Sequence, residues 1–130
     1  MPHGSEDWWG RVELGEATFK RSNWGTNIPQ GGVVTINYTV PSGKTLYICH
    51  LSASFMTTLA LNGEAQQFGE GYIYDQTEGE YYANTGGNGG FVIDFSRPIS
   101  FPQNHVILFT ARNMSTHNQH IRLSVNGYET

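Results

Sequence analysis

Apolar and polar residues alternate along most of this chain, and the alternation is clearest from Thr45 to Met56. There Tyr47, Cys49, Leu51, Ala53 and Phe55 take every second position, with His50, Ser52 and Ser54 between them. A period of two places successive side chains on opposite faces of a strand, so one face turns to a core. Leu46 and Ile48 make the first half apolar on both faces, which predicts a central strand. The same pattern predicts strands over Val33–Val40, Gly71–Asp75, Glu78–Ala83, Phe91–Phe95, Ile99–Phe101, His105–Arg112 and His120–Tyr128. Val106–Phe109 is apolar on both faces and reads as a second central strand. Arg11–Leu14 alternates briefly and reads as a short edge strand.

Turn signals separate these runs. Pro41-Ser42-Gly43 presets a turn that folds Thr45–Met56 back antiparallel to Val33–Val40. Asn62-Gly63 has the dihedral tolerance of a two-residue hairpin. Lys20–Gly32, with Trp24, Gly25, Pro29 and a Gly pair, reads as loop, and Asn84–Gly90 as a long mobile loop. No segment has helical periodicity. The expected fold is all-β: an antiparallel β-sandwich, jelly-roll-like, with about eight strands. Residues 1–30 form an N-terminal arm and loop, and residues 31–130 the sandwich domain. Its expected core is Val34, Ile36, Tyr47, Cys49, Leu51, Phe91, Ile93, Phe95, Ile107, Phe109, Ile121, Leu123 and Val125.

Composition narrows the function classes. With 7 Lys+Arg against 11 Asp+Glu, the net charge of −4 argues against nucleic-acid binding through a broad basic surface. One cysteine cannot close an internal disulfide, and Cys49 reads as a small buried hydrophobe. No apolar run reaches the roughly 20 residues of a membrane helix, and no secretory signal is visible. Neither a membrane nor a nucleic acid is an expected partner.

Candidate chemistry is sparse. His117 and His120 are spaced for a shared metal only on a helix, and they lie where a turn meets a strand; solvated histidines are the simpler reading. Asp75, Glu78 and Glu80 form an acidic cluster that lacks the ligand series of a calcium loop. They could face each other as a hydrolase pair, but an acidic loop discouraging edge pairing is the simpler account. There is no Gly-x-Ser-x-Gly elbow, and Gly86–Gly90 lacks the lysine and helix of a phosphate loop. The expectation is therefore no enzyme, no cofactor and no metal.

Two aromatic groups remain. Trp8, Trp9 and Trp24 are interface candidates, because exposed tryptophans become favourable when a neighbour covers them. They predict a homo-oligomer, a trimer or a lattice-bound subunit. Tyr72, Tyr74, Tyr81 and Tyr82 are ligand-binding candidates, an aromatic platform for a glycan, unless they fill the rim of the sandwich.

Three stretches carry a resemblance: Pro41–Ile48 (PSGKTLYI), Ile93–Pro102 (IDFSRPISFP) and Leu123–Glu129 (LSVNGYE). Over residues 33–129 the chain resembles the small jelly-roll virion proteins of tailed bacteriophages, the capsid decoration and head or tail accessory proteins. These motifs mark turns, so no catalytic residue carries over. The resemblance implies a non-enzymatic structural protein of the virion, oligomeric, binding and stabilising a capsid or tail lattice. The alternative is a carbohydrate-binding module that uses the tyrosines.

Overall fold

A computed structural model describes residues 17–57 and 67–130. Among them are eight strands: β1 (Ala17–Ile28), β2 (Val33–Thr39), β3 (Leu46–Thr57), β4 (Phe68–Asp75), β5 (Glu80–Asn88), β6 (Gly90–Phe101), β7 (Val106–Asn113) and β8 (Gln119–Glu129). They form two four-stranded antiparallel sheets, β1-β8-β3-β6 and β2-β7-β4-β5. No helix occurs among the described residues. This all-β sandwich has the strand order of a jelly roll, in which successive strands alternate between sheets except for β4 and β5, which pair as neighbours. The two strands that are apolar on both faces, β3 and β7, are interior strands of their sheets, as expected.

Inward-facing residues of both sheets build one core. Val34, Ile36, Leu51, Phe55, Phe91, Ile107, Phe109, Ile121, Leu123 and Val125 are all buried in it. Burying a side chain of this size contributes about 1.5–3 kcal/mol, so the alternation itself supplies the drive to pair the sheets. The rings of Phe55 and Phe91 lie on β4, where a Cβ at Gly69 or Gly71 would come within 2.2 Å of them. Those glycines are the space into which the two phenylalanines pack.

Four expectations change. First, Ala17–Ile28 is a strand paired with β8, so the sandwich begins inside the stretch assigned to arm and loop. Its alternation is faint because Phe19 is its one fully buried apolar side chain. Second, β3 lies in the opposite sheet from β2; the Pro41–Gly43 turn crosses between layers rather than closing a hairpin. Third, Asn84–Asn88 is strand, paired with Phe68–Gly71, because the ladder with β4 overrides poor local propensity. Fourth, the face of β3 switches within the strand. Leu46 and Ile48 point inward, then a register break between Ile48 and His50 brings Leu51, Ala53 and Phe55 inward. Tyr47 and Cys49 are therefore only half-buried, and Tyr47 stacks on Tyr128 at 4.8 Å between ring centres. Opposite the break, a Cβ at Gly127 would sit 1.8 Å from the Tyr47 carbonyl oxygen, so only glycine fits there.

Ile93 and Phe95 are partly buried and pack against the core rather than filling it. The expected break at Arg97-Pro98 falls where β6 loses register with β3, although the chain stays extended. Since β6 is an edge strand, the missing proline N–H costs no ladder bond there. Trp8, Trp9, the Arg11–Leu14 strand and the Asn62-Gly63 hairpin lie outside the described residues.

Polar ties close the open ends of the sandwich. At one end the Asn113 amide donates to the carbonyls of Ile28 and His117, each at 2.8 Å, while its oxygen accepts from the Ser115 amide. The Gln119 amide donates to that same oxygen and to the Phe68 carbonyl. Strands β1, β4, β7 and β8 thus meet on two buried amides. At the other end the Tyr38 hydroxyl donates to Glu129 Oε1 at 2.6 Å, linking the two sheets. Desolvation and then the Glu129 carboxylate push the Tyr38 hydroxyl up to about 12.

Candidate functional site

The two outer faces of the sandwich carry the candidate residues, and they differ in shape. On the β2-β7-β4-β5 face, Tyr72 and Tyr74 share one side of β4, and Tyr74 stands opposite Tyr81 of β5. The Tyr81 ring lies 4.4 Å from Tyr74, tilted by 34°, and 5.2 Å from Tyr72, nearly edge-on at 75°. Tyr81 is 63% exposed. The rings lean on one another, so the cluster is a raised aromatic knob and not a flat platform.

Tyr82 does not join this group. Strand alternation turns it the other way, and its ring meets Phe101 at 5.3 Å, edge to face, beside the core. Its hydroxyl donates to Glu78 Oε2 at 3.2 Å. Desolvation, reinforced by the Glu78 and Glu80 carboxylates, raises the Tyr82 pKa. The four tyrosines grouped by sequence therefore separate into a surface trio and one rim residue.

Asp75 ends β4 just below the knob, and it is fully buried. Of the expected acidic loop at an edge strand, Glu78 and Glu80 are exposed at the start of the edge strand β5, but Asp75 is turned inward. Its Oδ1 accepts from the amides of Thr77 and Glu78 at 3.0 and 3.2 Å, and its Oδ2 lies 2.7 Å from His105 Nδ1. Donor atoms of Asp75, Glu78 and His105 fall within 4.8 Å of one another, the composition of a metal site. Both Asp75 oxygens, however, are already engaged by the chain. The arrangement clamps the β4–β5 turn to the start of β7, and it leaves Asp75 enclosed, unable to face Glu80 across an open cleft. Sequence could not pair Asp75 with His105, because the topology alone brings β4 beside β7.

The opposite face, β1-β8-β3-β6, holds a groove of about 310 Å³. Trp24 is on β1 rather than in a loop, and it stands directly opposite Arg122 of β8. Arg122 in turn lies opposite Ser54 of β3, and His120 opposite Met56. These five residues, with Gly25, Thr26 and Ile121, line the groove. Trp24 is 66% exposed and Met56 61%. A break in the β1–β8 register just beyond Gly25 ends the flat ladder beside the tryptophan. His120 Nδ1 is buried and has no hydrogen-bond partner among the described residues; such a group costs about 1–3 kcal/mol while unpaired. Farther along the face come Val92, 68% exposed, and the pair His50–Asp94, whose Nδ1 and Oδ1 are 2.6 Å apart.

Sequence reading singled out Trp24 but missed its partners. Arg122 and His120 were legible only as the outward positions of an alternating strand. No family model matches the chain, and no curated protein matches it in sequence.

Proposed function

We propose that this chain is a non-enzymatic accessory subunit of a virus particle, a decoration-type jelly roll that binds and stabilises a capsid or tail lattice. The observation that carries the reading is the knob of Tyr72, Tyr74 and Tyr81, gathered where the β4–β5 ladder breaks register between Gly71 and Ile73. Tyrosine is enriched at interface hot spots because it buries a large ring while its hydroxyl keeps a polar partner. A knob of mutually leaning rings suits insertion into a protein hollow better than stacking beneath a sugar. The jelly-roll order and the resemblance of residues 33–129 to phage accessory proteins support the same reading.

Attachment would act by mass action. A subunit that binds only the assembled lattice stabilises it by RT ln(1+[L]/Kd). The test is co-sedimentation of purified chain with virus particles from the culture that encodes it. Wild-type chain should pellet with particles, and Tyr81→Ala should weaken the association by about 2 kcal/mol, some 30-fold. A wild-type chain that stays in the supernatant overturns the proposal. If the chain instead binds neutral glycans through Tyr72 and Tyr74, the carbohydrate-module reading replaces it.

A further inference from the structure

We infer that the groove between Trp24, Arg122 and His120 is a binding site for an acidic saccharide, a sugar bearing a carboxylate. The site lies on the opposite sheet from the tyrosine knob and does not rest on particle attachment.

Three observations converge. A concave lining that joins one large ring to a few polar groups is the usual make-up of a small-ligand cleft, and 310 Å³ falls at the lower end of the range of such clefts, about 300–1,000 Å³. The Trp24 ring is largely exposed, with Arg122 directly opposite on β8, His120 two residues along that strand, and Ser54 one strand farther across on β3. The apolar side of a pyranose covers an exposed indole, while its hydroxyls need such donors and acceptors around the rim.

Charge then selects among sugars. The chain as a whole carries −4, yet no groove-lining residue among those described is acidic, and Arg122 is an exposed cation at its centre. The carboxylate on this face, Asp94, lies two outward rows beyond Arg122, roughly 13 Å along the strand at about 3.3 Å per residue. It is also engaged by His50. A guanidinium with no carboxylate beside it among the described residues pairs with one brought by a ligand, in the forked geometry that suits it. Met56 extends the apolar floor beyond the first ring, which favours an oligosaccharide over a single residue.

The experiment is calorimetric titration of the full-length chain with trigalacturonate and with sialyllactose, beside lactose as the neutral control. Both acidic sugars should bind, at least about tenfold more tightly than lactose, and the advantage should shrink in about 0.5 M salt. Arg122→Gln should bring the acidic sugars to the lactose level. Trp24→Ala should abolish binding, and Tyr81→Ala should leave it unchanged. Both groove side chains are exposed, so unchanged thermal melting will show that these variants fold. The inference is overturned if neither acidic sugar binds, if lactose binds as well as they do, or if Trp24→Ala retains binding. It is also overturned if Trp24→Ala converts a larger species to a smaller one in sedimentation, since the groove would then join two copies of the chain.

Discussion

The two outer faces of this sandwich are built by the same alternation but finish differently. On the β2-β7-β4-β5 side, outward residues of β4 and β5 pile three tyrosine rings into a knob. On the β1-β8-β3-β6 side, the outward tryptophan stands beside smaller or flexible neighbours, Ser54, Met56 and Arg122, and a groove remains. Each feature lies beside a register break, Gly71/Ile73 at the knob and Gly25/Ile28 at the groove, so the contrast of convex with concave follows from which side chains are adjacent across the ladder. A knob that is its own neighbour's support has the shape to fill a hollow, and a lone ring among hydrogen-bonding groups has the shape to lie under a ligand that is apolar on one side and polar at its edge.

The comparison breaks most severely if the shared support is removed. Leu123 is fully buried beneath the groove-bearing sheet and faces the other sheet across the core. Leu123→Ala should cost about 2–5 kcal/mol, lowering the denaturant midpoint and weakening both faces together. A loss confined to one face would mean that the sheets do not depend on a common core.

A more selective break is Asp75→Ala. It deprives the Thr77 and Glu78 amides and His105 of their acceptor, and each such part-buried bond contributes about 0.5–1.5 kcal/mol. The effect should be local: hydrogen exchange should quicken in the β4–β5 turn next to the knob, while the Trp24 groove keeps its ligand affinity.

Tyr38 ties the sheets at one end, and its contribution is readable from pH. Its folded-state value of about 12 lies above the ordinary 10. The tie therefore contributes in full below about pH 10 and is lost as pH rises from 10 toward 12, where the unfolded chain ionises more readily. Tyr38→Phe should remove that segment of the stability profile and cost about 1.5–3 kcal/mol at neutral pH, as for a hydrogen bond to a charged group. An unchanged alkaline profile would show that the Glu129 bond does not hold the two sheets.

The smallest effects belong to the surface residues. Tyr81→Ala and Trp24→Ala should each change stability by no more than about 0.5 kcal/mol, because both rings are mostly exposed. A large loss from either would mean that the ring serves the fold rather than a partner.

How much of this was legible beforehand follows from the range of the interactions. Val34, Ile36, Phe109, Leu123 and Val125 were readable as core because alternation is local and burial enforces it. The face of Tyr47 was not, since it depends on a register break imposed by β8 and β6. Strand β1 was hidden because Phe19 alone supplies most of its inward signal. The Gly-rich end of β5 was hidden because its partner β4 supplies the structure that its own residues do not favour. Of the candidate site residues, Trp24, Tyr72, Tyr74 and Tyr81 were recognisable as aromatics outside the core. Arg122, His120 and His105 gained meaning only when the jelly roll brought distant strands side by side.

The central claim is that the faces do separate work, the knob engaging the particle and the groove staying open. Hydroxyl-radical footprinting of the chain, free and bound to particles, reads both faces at once, because Tyr81, Trp24 and Met56 are all exposed and oxidisable. Particle binding should protect Tyr81 strongly, with Tyr72 and Tyr74 following, while Trp24 and Met56 oxidise at the rate of the free chain. Protection of Trp24 and Met56 with Tyr81 still reactive would contradict the account and exchange the roles of the two faces.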